Sequence, residues 1–138
     1  MFRHRLPEHL APRRAALHAL APALERAKAA LTESVPGTRL PGRPLAETLQ
    51  EFEEGLREVR GGMDAWRAAE VEAAWRRASD GLDRALGLAE RVRTEAAEPE
   101  GFEALIGLIG ELLAPLDAFG EAEERFRELR RPRRARRG

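Results

Sequence analysis

Apolar residues recur at helical spacing along almost the whole chain. Leu10, Leu17, Leu24 and Leu31 fall seven apart, with Leu20 and Ala27 at the intermediate positions, which is one seam on a helix. Pro22 sits inside that seam. It lacks a backbone donor and crowds the preceding turn, so the chain should kink there or restart, with a short helix before it and a longer one to about Ser34. The stretch 35–44, VPGTRLPGRP, holds three prolines and two glycines and reads as a connection, with Pro44 placed to open the next helix.

The second helix has the cleanest pattern. Leu45, Leu49, Phe52, Leu56, Val59 and Met63 alternate four and three apart until Gly61-Gly62 breaks the run. A third helix should begin between Asp64 and Glu70 and reach about Ala97, on a seam of Val71, Trp75, Ala78, Leu82, Leu86, Ala89 and Val92. Gly81 and Gly87 weaken it, which fits either close packing or mobility at its middle. After the turn Glu98-Pro99-Glu100-Gly101 comes a fourth helix carrying Phe102, Leu105, Ile106, Ile109, Leu112, Leu113, Leu116, Phe119, Phe126 and Leu129. Its apolar arc is the widest in the chain, so it is expected to be the most buried helix. Pro115 should bend or split it, and Gly107 and Gly110 would let another helix come close.

Four seams with short connections predict an all-α fold, an antiparallel up-down bundle of about four helices with kinks near Pro22 and Pro115. The expected organisation is one helical-bundle domain over 1–129 and a basic, disordered tail over 130–138. Strict seven-residue spacing in the first two helices favours self-association, a homodimer included.

The net charge of zero conceals a segregated layout. Residues 130–138, RRPRRARRG, carry six arginines and no acid; residues 1–14 carry four arginines and one glutamate; the body between holds 14 basic and 23 acidic residues. Arg130, Arg131, Arg133, Arg134, Arg136 and Arg137 are therefore candidate phosphate contacts to a nucleic acid, although no aromatic residue is interleaved among them to stack on bases. A solubilising tail, or one folded back on the acidic body, would have the same composition. Lys28 is the only lysine among abundant arginine and alanine, as in a GC-rich bacterial genome.

Several function classes lose support. Without cysteine there are no disulfides, thiolate metal sites or cysteine nucleophiles. His4, His9 and His18 lie in the first 18 residues, and none is preceded at three residues by the glutamate that di-iron bundles use. No cofactor or metal is expected. Glutamates 51, 53, 54 and 58, and 121, 123, 124 and 128, flank apolar seams as solvated faces do. The few hydroxyls form no nucleophile elbow, and no glycine-rich phosphate loop is present. The apolar stretch 102–116 is interrupted by Glu103 and Glu111, so no membrane span or signal segment is expected, and the cytoplasm is the default compartment. Trp75 belongs to the seam, whereas Trp66, at a turn, is a candidate partner contact. The turn Trp66-Arg67-Ala68 lacks the glycine of the Trp-x-Gly helical hairpins, so that family is not implied. The resulting expectation is a non-enzymatic bundle acting through protein–protein contact or self-association. The alternatives are nucleic-acid association through the tail, or a small-ligand pocket near Gly107, Gly110 and the two kinks.

Overall fold

The computed structural model describes residues 5–95 and 98–130. Among them are six α-helices and no strand: α1 (Ala11–His18), α2 (Ala21–Thr32), α3 (Leu45–Gly61), α4 (Glu72–Glu95), α5 (Gly101–Leu113) and α6 (Ala118–Arg130). They form four arms packed on one another, because α1 and α2 make one broken arm and α5 and α6 another. The fold is the all-α bundle that the seams predict.

Both prolines act where their chemistry requires. Pro22 occupies the first turn of α2, where the missing N–H costs nothing, and the chain restarts after a break at Ala19 and Leu20. At Pro115 a 3-10 turn over Ala114–Asp117 separates α5 from α6. Pro44 stands just ahead of α3 rather than within it, and its carbonyl accepts from the Glu47 and Thr48 amides at 3.1 and 3.2 Å.

Leu49, Phe52, Leu56 and Val59 of α3 are fully buried, as their spacing requires. On one side α3 meets the alanine-rich face of α2. A side chain at Gly55 would lie 2.8 Å from the Ala27 Cβ, so the glycine sets how closely these helices approach. On the other side the ion pairs Glu53–Arg93, Arg57–Glu90 and Arg60–Asp83 step forward along α3 and backward along α4, which fixes an antiparallel pair. The α2–α3 loop is tied down by Arg43. Its amide donates to the Glu33 carbonyl at 2.8 Å, and its guanidinium forks onto Glu51 at 2.7 and 3.0 Å. That pairing holds the Glu51 carboxyl below its ordinary range.

Helix α6 returns along α4, burying Phe119, Ala122 and Phe126. Arg77 pairs with Glu121 at 3.2 Å and Arg125 reaches the Glu70 carbonyl at 3.3 Å, so the C-terminus of α6 lies at the start of α4. Gly81 on α4 makes room for the Pro115 turn, since a Cβ there would collide with the Pro115 carbonyl oxygen and lie 3.1 Å from its carbon. The close packing that the α4 glycines allow thus occurs at Gly81. Gly87 has nothing within 4 Å of a built Cβ.

The structure reverses the expectation for α5. The helix richest in apolar residues buries only Ile109 and Leu112, while Phe102 and Ile106 are 59% and 43% exposed. The split at Pro115 is the cause. The α6 half of the arm inserts phenylalanines into the core, whereas α5 is left against α4 and the end of α2 on one side only. An apolar arc wider than the surface that covers it remains partly in water. A Cβ at Gly107 or Gly110 would likewise meet nothing within 4 Å, so among the described residues no helix packs against them.

Candidate functional site

Among the described residues, two of the three exposed large apolar side chains, Phe102 and Ile106, lie on the outer face of α5. Phe102 and Ile106 stand one turn apart, with half-buried Leu105, Leu108 and Leu113 beside them. Gly101, at φ +87°, adopts the left-handed conformation that brings the chain out of the 98–100 turn into the helix. There α5 meets the end of α2, and Ser34, Pro36, Pro44, Leu45, Phe102 and Leu105 enclose a cleft of about 340 Å³. Leu40, 74% exposed, projects from the adjoining loop. Isolated exposed leucines are ordinary, but an apolar helix face continuous with an apolar cleft is not.

The segment of chain that carries this face holds one sign of charge, while Arg84 and Arg91 of α4 line the groove beside it. Between Arg93 and Arg125 the sequence holds nine acidic residues and no lysine, arginine or histidine. On α5 itself Glu103 and Glu111 are both exposed. The signal is legible in the sequence as a gap in the basic residues, but it is hidden when charge is counted over the whole body.

The residues singled out from the sequence fall elsewhere. Trp66 is 0% exposed and lies 6.4 Å, ring to ring, from Phe126, so it is part of the core and its ring is not available to a partner. A turn tryptophan is drawn inward here because the Asp64–Trp66 3-10 turn folds beneath α1. Trp75 is half-buried on its seam. Its Nε1 donates to the Met63 carbonyl at 2.8 Å, and the Arg67 guanidinium lies 4.0 Å above its ring. Arg130 is the last residue of α6; Arg131, Arg133, Arg134, Arg136 and Arg137 lie outside the described residues.

One glutamate departs from the solvated face assigned to it. Glu53 is fully buried, while Glu51, Glu54 and Glu58 are exposed. Its carboxylate accepts two hydrogen bonds from Arg93, at 2.6 and 3.0 Å, and one from Arg57 at 3.2 Å. Glu53 holds the Arg93 guanidinium above its ordinary range. Position 53 lies four residues from Leu49 and three from Leu56, so it borders the seam, and only the facing α4 arginine makes its burial tolerable. With three hydrogen bonds from two guanidiniums on a buried carboxylate, Glu53 locks α3 to α4.

His9 and His18 are exposed and contact Glu70 and Glu123, the latter at 3.6 Å. Among the described residues no three His, Asp or Glu side chains gather as a metal site. The kinks do open space. At Pro115 a wide groove between α4 and α5 is lined by Arg84, Arg91, Glu90, Glu111 and Thr94, and at Pro22 a shallow cleft between α2 and α6 is lined by Leu20, Leu24 and Phe119. Gly107 and Gly110 border neither. Among the described residues no helix is long and apolar enough to cross a membrane. In comparisons with protein-family models, curated proteins and solved structures, nothing matches this chain.

Proposed function

We propose that this protein is a non-catalytic helical module of the cytoplasm that works by protein–protein contact, with the outer face of α5 as its contact surface. The observation that carries the reading is the inversion on α5: the most apolar helix buries only two of its 13 residues. Full burial of a phenylalanine side chain is worth about 1.5–3 kcal/mol, and Phe102 realises less than half of that within the monomer.

The exposed glutamates of α5 favour one kind of partner. If α5 paired with α5 of a second copy in antiparallel fashion, Glu103 of each would approach Glu111 of the other, and like charges at close range oppose that pairing. An amphipathic helix whose apolar stripe is flanked by lysine or arginine satisfies both features, laying apolar anchors against Phe102 and Ile106 and cations against Glu103 and Glu111.

The test uses two fluorescent model helices with the same leucine stripe, one flanked by arginine and one by glutamate, titrated with the full chain. The arginine-flanked peptide should bind and the glutamate-flanked one should not. The double variant Phe102→Ser/Ile106→Ser should lose the binding while melting as the parent does. If the double variant binds as well as the parent, α5 is not the surface. If sedimentation shows a dimer that this variant abolishes, the partner is a second copy instead.

A further inference from the structure

Helix α1 is fastened to the bundle at both of its ends. The chain breaks at Ala19 and Leu20, so α1, with the 3-10 turn Glu8–Leu10 ahead of it, is a half-arm of its own. Isolated helices need about 12–15 residues to be even marginally stable in water, so the eight residues of α1 are helical by virtue of what they touch. The half-arm buries Leu10 and Leu17 and lies over the Asp64–Trp66 turn and against α6. Arg13 donates to the Ala65 carbonyl at 3.1 Å. Just ahead of α1, His9 meets the Glu70 carboxylate on the Ala69–Val71 3-10 turn. At the last residue of α1, His18 lies 3.6 Å from the Glu123 carboxylate of α6.

These are the two histidines among the described residues, and each joins the half-arm to a different element. An imidazolium holds a carboxylate by charge and hydrogen bond together, a neutral imidazole by the hydrogen bond alone, and imidazole ordinarily changes charge near pH ~6.5. The Glu70 carboxyl is held below its ordinary range, first by its hydrogen bond with His9. Arg125 donates to the Glu70 carbonyl, and Glu25 and Lys28 of α2, 3.7 Å apart, border the cleft beside Glu123. Glu8, Arg5, Arg13 and Arg14 on the half-arm, Asp64 in the turn beneath it and Arg130 of α6 complete the charges around it. Carboxylates, guanidiniums and side-chain ammonium groups ordinarily keep their charge between pH 6 and 8, so among the described residues here the two imidazoles are the groups that change.

We propose that α1 is a pH-sensitive strap: the His9–Glu70 and His18–Glu123 pairs clamp its two ends over Trp66 in mildly acidic solution, and loss of the imidazole charge loosens it and uncovers the indole. The pairs exist only while α1 is docked. Their charge therefore adds to docking below about pH 6.5, and the contribution is lost as pH rises above that value. Burial of Leu10 and Leu17 and the Arg13–Ala65 hydrogen bond do not titrate, so the arm loosens without leaving the bundle. While the strap is docked, Trp66 is fully buried against Phe126 and its Nε1 has no acceptor. Uncovered, it presents an apolar ring and a free donor. The strap involves none of the residues of the α5 face and does not rest on that reading.

The experiment is hydrogen exchange of the full chain at pH 6 and pH 8, corrected for the intrinsic rate, with the α3 and α4 amides as internal reference. Protection of the α1 amides should fall about fivefold at pH 8 relative to that reference, the effect of two exposed ion pairs. His9→Gln/His18→Gln should show at pH 6 the protection that the parent has at pH 8, and should no longer respond to pH. Glu70→Gln/Glu123→Gln should do the same from the carboxylate side, which keeps the test valid if the histidine variant disturbs folding. Uncovering is read separately in Trp75→Phe, where Trp66 is the remaining tryptophan: acrylamide should quench its fluorescence more strongly at pH 8 than at pH 6. Unchanged α1 protection in the parent, an undiminished pH response in both double variants, or an equal loss in α3 and α4, which signals global unfolding, each overturns the strap. Quenching that ignores pH while α1 protection falls overturns the uncovering of Trp66.

Discussion

Two glycines on one helix should respond in opposite directions to the same substitution. Gly81 and Gly87 both lie within α4, where alanine is favoured over glycine by up to about 1 kcal/mol because it fixes less backbone freedom on folding. At Gly87 nothing lies within 4 Å of the added methyl, so Gly87→Ala should realise most of that gain. At Gly81 the methyl collides with the Pro115 carbonyl, a backbone group that no rotamer change can move aside. Overpacking of this kind typically costs about 1–3 kcal/mol, and a clash with rigid backbone belongs at the upper end, which leaves a net loss of about 2 kcal/mol. At about 3–5 °C per kcal/mol for a chain of this length, the two variants should melt roughly 10 °C apart, on either side of the parent. Thermal unfolding followed by circular dichroism at 222 nm, with urea titration as an independent measure, reads the difference. Should Gly81→Ala stabilise as much as Gly87→Ala, the Pro115 turn does not press on α4. The placement of α5 outside the core would then lose its structural basis.

Arg93→Met should lower stability by roughly 3 kcal/mol, because it leaves the buried Glu53 carboxylate a single hydrogen bond from the half-exposed Arg57, whereas Arg60→Met, which breaks an exposed pair, should leave the melting temperature almost unchanged. Glu53→Leu combined with Arg93→Met should recover much of that loss, and a double variant no more stable than Arg93→Met refutes the account. The acid limb of stability should depend on Glu72, whose carboxyl is held down at about 2 by Arg67 first and Arg76 second. Its folded-state value lies below the ordinary 4.5, so its contribution is complete above that value and is lost as pH falls towards 2. Glu72→Gln should therefore flatten the melting-temperature profile between pH 4.5 and 2 without changing its shape near neutrality.

What the sequence revealed and what it hid follow one division. The α3 seam, the break at Gly61-Gly62, the restart at Pro22 and the split at Pro115 depend on local periodicity and on what proline and glycine do to their own backbone, and each can be read residue by residue. The placement of α5, Trp66 and Glu53 depends on which neighbours arrive. A wide apolar arc signals burial only if elements cover both its flanks, and the turn at Pro115 leaves one flank of α5 bare. Trp66 and Glu53 depend likewise on α1 and Phe126, and on Arg93, which lie far along the chain. The approach of Arg5 and Arg14 to Arg130, which line one cleft, was half legible, since the charge near each end is plain in the sequence but their meeting is tertiary.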